Sequence, residues 1–493
     1  MTKSPIITAL AALLIALPEL LACTPAPAQR CQPGARCAVV PSGPTANVDG
    51  KRPAARPLAD RRHVIVVSVD GLMPESYLQP DRHGLRVPTL REMKAKGAYA
   101  KEVLSVFPTV TYPAHTSMVT GMSPVRHGIV NNRTLDPLQK NKGGWYWYTE
   151  DIAVPTVWQI ARAAGRITAL INWPVTVGAK ADYLVAEYWR AGTLDDVKLS
   201  KALSTRGLLE RVGKRFPSFW QDFRPPDVID RASIDVAVHL LEENPPELML
   251  IHIWMVDEYQ HQKGPWSPEA KERIERADAQ LGRLIEAAKK AGIWSRTTLF
   301  VVSDHGFLPV EKRLYPGVLL RQRGFVTLDQ KNPQKVQDWQ ATAQAAGGLA
   351  FIHVKDPEDQ ATAAAVEQAF ADYAAQPDSG IGRIYKPAEI AARGGDDRAL
   401  LAIEARPGYA FKDGYAGDLV VATPGKGTHG YDPERPELKA SLLVYGPGVG
   451  RGEIRDARLI DMAPTWAHWL GESMPKGLDG RRLDIPTAAV GSP

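Results

Sequence analysis

From residue 63 onward the spacing of apolar positions keeps changing period. HVIVVSVDGL is a continuous apolar run ending in Asp-Gly, as in a strand buried on both faces, and VPTLREMKAKGA then spaces its apolar residues as a helix does. The alternation continues through helix PTVWQIARAAG, strand RITALIN, helix ASIDVAVHLLEEN, strand LMLIHIWMV, the charged helix SPEAKERIERADAQLGRLIEAAKKAG and strand TTLFVVSD. KASLLVYGPG adds a late strand and LIDMAPTWAHWLG a last helix. This order predicts an α/β fold with a mostly parallel central sheet, helices on both faces, and a site at the carboxyl ends of the strands. Two stretches break the rhythm: residues 133–153 are polar and aromatic, and residues 309–427 mix helix and strand signals. The second predicts an inserted cap subdomain, which leaves 61–308 and 428–485 as the catalytic domain and 486–493 as a tail.

Composition adds the compartment. The chain has 493 residues, 44% hydrophobic and 23% charged, enough to bury a large core. A formal charge of +5 with no basic run argues against a nucleic-acid polymer as partner, and nothing points to a protein partner. Lys3 precedes the apolar run IITALAALLIAL, which Pro18 and Glu19 interrupt before it could span a bilayer, so residues 1–22 read as a secretory signal. Two processing sites compete. LLAC resembles a bacterial lipobox, which would lipidate Cys23 and attach the product to a membrane as a periplasmic or outer-membrane lipoprotein, while Ala26 to Ala28 offer an ordinary A-x-A site. Residues 23–60 form a Pro/Ala-rich tether that would reach roughly 30–40 Å as a coil. It contains Cys31 and Cys37, which an oxidising compartment would allow to pair. The rest of the chain has no cysteine, so a metal site there must use oxygen and imidazole.

Three predicted strands run into an acidic residue: VSVDG at Asp70, WMVDE at Asp257 and VVSDHG at Asp304. A lone Asp at such a place usually forms a turn. Here histidines accompany them. His261 follows Asp257 by four residues, so one helical turn would aim both the same way, and His305 adjoins Asp304 ahead of Gly306. His429 lies between glycines in GTHGYD. Three carboxylates and three imidazoles suit zinc or a related divalent ion, and are more ligands than one catalytic zinc takes. Two ions about 4 Å apart can hold both the entering and the leaving oxygen of an in-line phosphoryl displacement. The stretch FPTVTYPAHTSMVTG offers a nucleophile. Pro113 suits a first helical turn, which sets Thr111 at the positive end of a helix dipole, and a neighbouring metal would make its hydroxyl more acidic.

In this order VSVDGL, FPTVTYPAHTSMVTGMSPVRHGIVNN, VDEYQHQKGP, VVSDHGF and KGTHGYDPERPELKASLLVYGPG resemble the type I phosphodiesterase / nucleotide pyrophosphatase family of the alkaline phosphatase superfamily, over about residues 62–482. The resemblance implies two zinc ions, with Asp257, His261 and His429 at one and Asp70, Asp304, His305 and Thr111 at the other. It makes Thr111 the nucleophile that is transiently phosphorylated and Asn132 the amide donor to a non-bridging phosphoryl oxygen. The implied substrate is a small phosphate diester or nucleotide, and Tyr112 matches the aromatic residue that stacks on the base or leaving group in nucleotide-cleaving relatives.

Blander readings stand beside these. Tyr112 could equally pack the helix start, and the aromatic cluster GGWYWYTED suits loop packing. His252, inside an apolar strand, reads as a packed, hydrogen-bonded core residue; His115 and His127 read as structural. Ala114 stands where many nucleotide pyrophosphatases carry Asn. A monoesterase or phosphonate hydrolase of the same superfamily is the alternative, although the Lys-x-Arg pair of the related monoesterases has only isolated Lys180 and Arg190 to match it. A sulfatase would need a Cys-x-Pro-x-Arg or Ser-x-Pro-x-Arg motif, which is absent. A catalytically silent surface-binding protein is the non-enzymatic alternative, opposed by seven filled ligand positions.

Overall fold

The computed structural model of the chain describes residues 57–141, 143–190, 194–222 and 229–488. The signal run, Cys23, Cys31 and Cys37 lie outside the described residues. At the end of the expected tether, Leu58–Asp60 already form an exposed turn of 3-10 helix.

The first strands are β1 (His63–Val69), β2 (Ala98–Ala100), β3 (Thr168–Ile171), β4 (Tyr183–Val185), β5 (Leu248–Ile253) and β6 (Thr297–Val302). Beyond β6 come β7 (Leu308–Leu314), β8 (Ala341–Ala346), β9 (Leu349–Val354), β10 (Ile381–Tyr385), β11 (Leu401–Ala405), β12 (Gly408–Phe411) and β13 (Val420–Thr428). The chain returns through β14 (Leu442–Tyr445) and β15 (Gly452–Ile454). An eight-stranded sheet runs in the order β15-β2-β14-β6-β1-β5-β3-β4. Only β14 opposes its neighbours there; every other pairing in this sheet is parallel. The sheet is therefore mostly parallel, as the sequence predicts, and mixed toward one edge.

Alternation along the strands explains why they read as uninterrupted apolar runs. Val64, Val66, Leu248, Leu250, Phe300 and Val302 face a core that includes Trp158 and Trp466, whereas Ile65, Val67, Met249, Ile251, Leu299 and Val301 face one that includes Leu240 and Leu281. Helices cover both faces, so each apolar side chain gains roughly 1.5–3 kcal/mol from burial whichever way it points. The helices used below are α1 (Pro88–Lys96), α2 (Thr111–Thr120), α3 (Val157–Ala163), α4 (Ile229–Glu243), α5 (Met255–Lys263), α6 (Pro268–Lys290), α7 (Gln360–Ala374) and α8 (Met462–Leu470). Helix α2 is buried on every side, so no apolar stripe marks it.

One expectation is corrected here. The strand LMLIHIWMV stops at Ile253, so Asp257 does not end a strand but sits in the first turn of α5. The Asp230 carboxylate accepts the N–H groups of Trp254 and Met255 at 3.0 and 3.3 Å and caps the incoming helix. That cap ends the strand early.

Between β6 and β14 three smaller sheets form, one of them only the antiparallel pair Val326–Leu328 and Val336–Trp339. A second is antiparallel, in the order β8-β9-β11-β10; the third joins β12, β7 and β13 and leads directly into His429. Residues 133–153 contain an isolated bridge between Arg133 and Trp145 and a 3-10 turn at Thr149–Asp151. Past residue 485 the chain still pairs, Ala488 donating to the Gly448 carbonyl at 3.1 Å. Among the described residues no helix is long and apolar enough to cross a membrane.

Candidate active site

Strand register brings the scattered motifs together. In the parallel pair β1 and β6, Ser68 lies opposite Val302, so Asp70 and Asp304, each two residues further on, emerge side by side. On the other flank of β1, Val69 lies opposite Ile253, and α5 with Asp257 and His261 begins two residues later. His429 arrives from a different direction, one residue after β13. Its neighbour Gly430 has φ +87°, and a Cβ there would sit 1.6 Å from the Ala346 carbonyl oxygen, so only glycine fits this turn.

The six ligand candidates converge. His305 Nε2 lies 3.4 Å from Asp70 Oδ1 and 3.1 Å from Asp304 Oδ2. Asp257 Oδ2 lies 3.5 Å from His261 Nε2, and Asp257 Oδ1 lies 3.6 Å from His429 Nε2. The two histidine Nε2 atoms are 3.1 Å apart. His305 stacks on His429 with ring centroids 3.6 Å apart, and the residue belongs both to a group with Asp70 and Asp304 and to one with Asp257 and His429.

Hydrogen bonding settles which ring atoms face inward. The Nδ1 atoms of His261, His305 and His429 lie 3.0, 3.2 and 2.9 Å from the carbonyl oxygens of Gly427, Gly306 and Thr109. A carbonyl only accepts, so each Nδ1 carries the hydrogen and each Nε2 turns a lone pair toward the carboxylates. Two facing lone pairs 3.1 Å apart repel each other unless an electrophile lies between them. Two zinc–nitrogen bonds of about 2.05 Å at a tetrahedral angle separate the nitrogens by about 3.3 Å, close to the observed spacing. Asp70 Oδ1, Asp257 Oδ1, Asp304 Oδ2 and His305 Nε2 are all buried and without a hydrogen-bond partner. Orphaned oxygen and imidazole donors pointing at shared centres fit divalent cations.

The electrostatics agree. Burial, then the negative charges of Asp304 and Asp257, push the Asp70 carboxyl well above its ordinary range, and burial likewise raises Asp257. Burial also penalises the Asp304 charge, but the adjacent His305 outweighs it and holds Asp304 below the usual range. Burial, then His305 and His261, drive the His429 imidazole well below its ordinary value. Three carboxylates crowded out of water are mutually repulsive until cations neutralise them.

Thr111 is the first residue of α2, nearly buried, on the wall of a cavity of about 1040 Å³ shared with Asp70, Asp257, His261 and His429. Asn132 lines it too. Its Oδ1 accepts the Tyr112 N–H at 2.8 Å, which caps α2 and leaves the Nδ2 amide as its donor. Tyr112 is fully buried and edge-on to Trp145 with centroids 5.0 Å apart, so it packs the helix start while also bordering the cavity. His115 Nε2 lies 2.8 Å from the Ser68 hydroxyl, and His127 Nε2 lies 2.9 Å from the Ser117 hydroxyl, as expected of structural histidines.

Two features escaped sequence reasoning. His252 is a buried, hydrogen-bonded residue of β5, yet its Nε2 partner is Asp70 Oδ2 at 3.1 Å, so it braces the site. Glu187 lines the cavity, is almost fully buried, and has its carboxyl pushed up to about 8 by burial. It follows β4 by two residues, the offset at which Asp304 follows β6. The same strand-end rule would have found it, but no histidine stands near it in the sequence.

Similarity to known proteins points the same way. The profile of the family described as type I phosphodiesterase / nucleotide pyrophosphatase matches residues 64–432. Human ectonucleotide pyrophosphatase/phosphodiesterase family member 5 is 24% identical over 428 residues, 83% of this chain and 75% of that protein. The bovine protein named bis(5'-adenosyl)-triphosphatase is 26% identical over 257 residues, 50% of this chain and 48% of its own. A solved structure of murine ectonucleotide pyrophosphatase / phosphodiesterase 5, inactive and in complex with AMP, aligns with a TM-score of 0.59 at 21% identity, covering 84% of this chain and 96% of that one.

Proposed function

Because the chain belongs to the type I phosphodiesterase / nucleotide pyrophosphatase family, we propose that it is an exported, metal-dependent hydrolase of phosphodiester or pyrophosphate bonds in small molecules, nucleotides among them. The observation that carries this reading is the convergence of unsatisfied donors from Asp70, Asp257, Asp304 and His305 beside the paired Nε2 atoms of His261 and His429. Asp257, His261 and His429 would hold one divalent ion and Asp70, Asp304, His305 and Thr111 another, zinc being the ion this donor set suits. Such ions supply Lewis acidity toward phosphoryl oxygens and acidify a hydroxyl in their shell.

The chain's own groups do the rest. Thr111 Oγ1, deprotonated at the amino end of α2, attacks phosphorus; its O–P bond forms as the bond to the leaving oxygen breaks, giving a phosphothreonine. A water oxygen then displaces Thr111, which recovers its proton. Asn132 Nδ2 donates to a non-bridging oxygen on which charge grows in the transition state. Asn132 can do so because Tyr112 N–H occupies its Oδ1 and fixes the amide orientation. Tyr112 and Trp145 border the space for the esterified group. AMP, present in the murine relative's structure, is a product this chemistry would generate. The segment 309–427 would act as a cap, contributing walls of the cavity such as Arg313 and Lys412. Export rests on Lys3 and the apolar run behind it.

The test is a panel of a nitrophenyl nucleotide diester, nitrophenyl phosphate and a nitrophenyl phosphonate ester, run with zinc or chelator on wild type and Thr111→Ala. The diester should be turned over fastest, and both chelation and Thr111→Ala should abolish that turnover while the variant still binds its ions. Preference for the monoester would favour the monoesterase reading. Ligand binding that survives chelation without hydrolysis of any ester would leave a silent binding protein in its place.

A further inference from the structure

One carboxyl beside the centre is left without a task. Glu187 lines the cavity and is 5% exposed, and its Oε2 is buried with no hydrogen-bond partner among the described residues. The other acids that line the cavity without being ligand candidates are all held. Asp196 Oδ1 accepts the Arg190 N–H at 3.3 Å, Glu258 Oε1 accepts from Gln262 Nε2 at 2.6 Å, and Asp413 Oδ1 accepts the Ala345 N–H at 2.8 Å.

His252 sets how far this carboxyl stands from the reacting centre. Its Nε2 lies 3.1 Å from Asp70 Oδ2 and its Nδ1 lies 3.9 Å from Glu187 Oε2, while the same Nδ1 is engaged by the Asn172 carbonyl oxygen at 3.2 Å. A single imidazole ring therefore separates the Glu187 carboxyl from that of Asp70, so the part of a substrate that reaches it is the first few atoms of the group esterified to the phosphate. Burial pushes the carboxyl up to about 8 against the opposing pull of Trp189 and Tyr112, neither of which hydrogen-bonds Oε2. At neutral pH it is then an uncharged acid, which both donates and accepts and does not repel an anionic phosphate. Such a group costs free energy while unsatisfied. A hydroxyl, which also donates and accepts, satisfies it better than an ammonium, which only donates.

Resting on the hydrolase reading above, we propose that Glu187 is a specificity-determining residue whose carboxyl hydrogen-bonds a free hydroxyl on the alcohol esterified to the scissile phosphate. The substrate class is then a phosphate ester of a polyol, preferred over that of a simple alcohol; ribose and glycerol share the required chemistry. Glu187 meets the substrate away from the reacting atoms, so no bond to it is made or broken.

The experiment uses pairs of nitrophenyl esters that differ only in free hydroxyls. A ribonucleoside 5'-monophosphate ester is set against its 2',3'-dideoxy counterpart, and a glycerol phosphate ester against the propyl phosphate ester, on wild type, Glu187→Gln and Glu187→Leu. Leucine is similar in size and removes a buried unsatisfied polar group, so the fold tolerates it. Both esters of a pair also report on the same folded fraction, which makes their ratio independent of any loss of stability. In wild type kcat/KM for the hydroxylated ester should exceed that for its partner at least about tenfold in one pair, which names the source of the hydroxyl. The ratio should fall to within about twofold of unity in Glu187→Leu, while Glu187→Gln, whose amide still donates and accepts, keeps most of it. Smaller wild-type ratios in both pairs, or a ratio unchanged in Glu187→Leu, overturn the assignment and leave the hydrolase reading intact. If wild type cleaves none of the four esters, the hydrolase reading fails, and calorimetric titration of the ribonucleoside monophosphate and its dideoxy counterpart into wild type and Glu187→Leu decides the assignment. A preference of at least about tenfold for the ribonucleotide that Glu187→Leu loses upholds it; equal binding of the two removes it.

Discussion

Removing divalent ions should lower thermal stability by an amount set by how many ions the two donor groups hold. Two groups of carboxylate and imidazole donors face each other across His305. An ion present at about one hundred times its dissociation constant stabilises the folded state by about 2.7 kcal/mol, so two independent ions contribute about 5 kcal/mol. Unfolding a unit of roughly 420 residues carries an entropy of about 0.9 kcal/mol per kelvin. The melting temperature in excess zinc should therefore exceed that in chelator by about 6 °C. Asp257→Asn keeps the shape of the side chain and removes the charge from one group, so its shift should fall to about half. Differential scanning calorimetry of both proteins, each with zinc and with chelator, reads this directly. A wild-type shift under about 1 °C, or a full shift in Asp257→Asn, would refute the assignment of these residues as ligands.

Three other substitutions probe separate parts of the site. Asn132→Ala should lower kcat on the nitrophenyl nucleotide ester by roughly 10²–10³-fold, since it removes a donor to the developing charge together with the cap on α2; steady-state kinetics check this. Glu187, with its carboxyl near 8, binds its proton more tightly folded than unfolded, so in chelated protein stability should fall as pH rises from about 4.5 through 8 and level off above. Glu187→Gln removes that loss and should gain on wild type by roughly 2–4 kcal/mol between pH 5 and pH 8.5 in urea titrations; a constant difference across that range would contradict the burial argument. Gly430→Ala forces a Cβ into the Ala346 carbonyl at a positive φ and should cost more than about 3 kcal/mol, with weakened zinc binding because His429 adjoins the displaced turn.

Much of this protein is legible in its sequence because burial on both faces leaves an unmistakable mark. Strands β1, β5 and β6 appear as apolar runs since both sides of each meet a core, and Asp70 and Asp304 stand out because a charge directly after such a run is costly unless it has a purpose. The spacing of Asp257 and His261 likewise carries its own geometry once a helix forms. Tertiary structure decided what spacing could not. It ended β5 at Ile253 through the carboxylate of Asp230, turned the Nδ1 atoms of three histidines toward backbone carbonyls so that Nε2 faces the carboxylates, and gave Asn132 its hold on the start of α2. It also gathered Arg133, Arg313, Lys412 and Lys426, scattered over some 290 positions of sequence, around one cavity. The physical reason is that local periodicity records which face of an element is dry, whereas hydrogen-bond direction and the meeting of distant charges depend on strand register and on contacts between segments that no local pattern encodes.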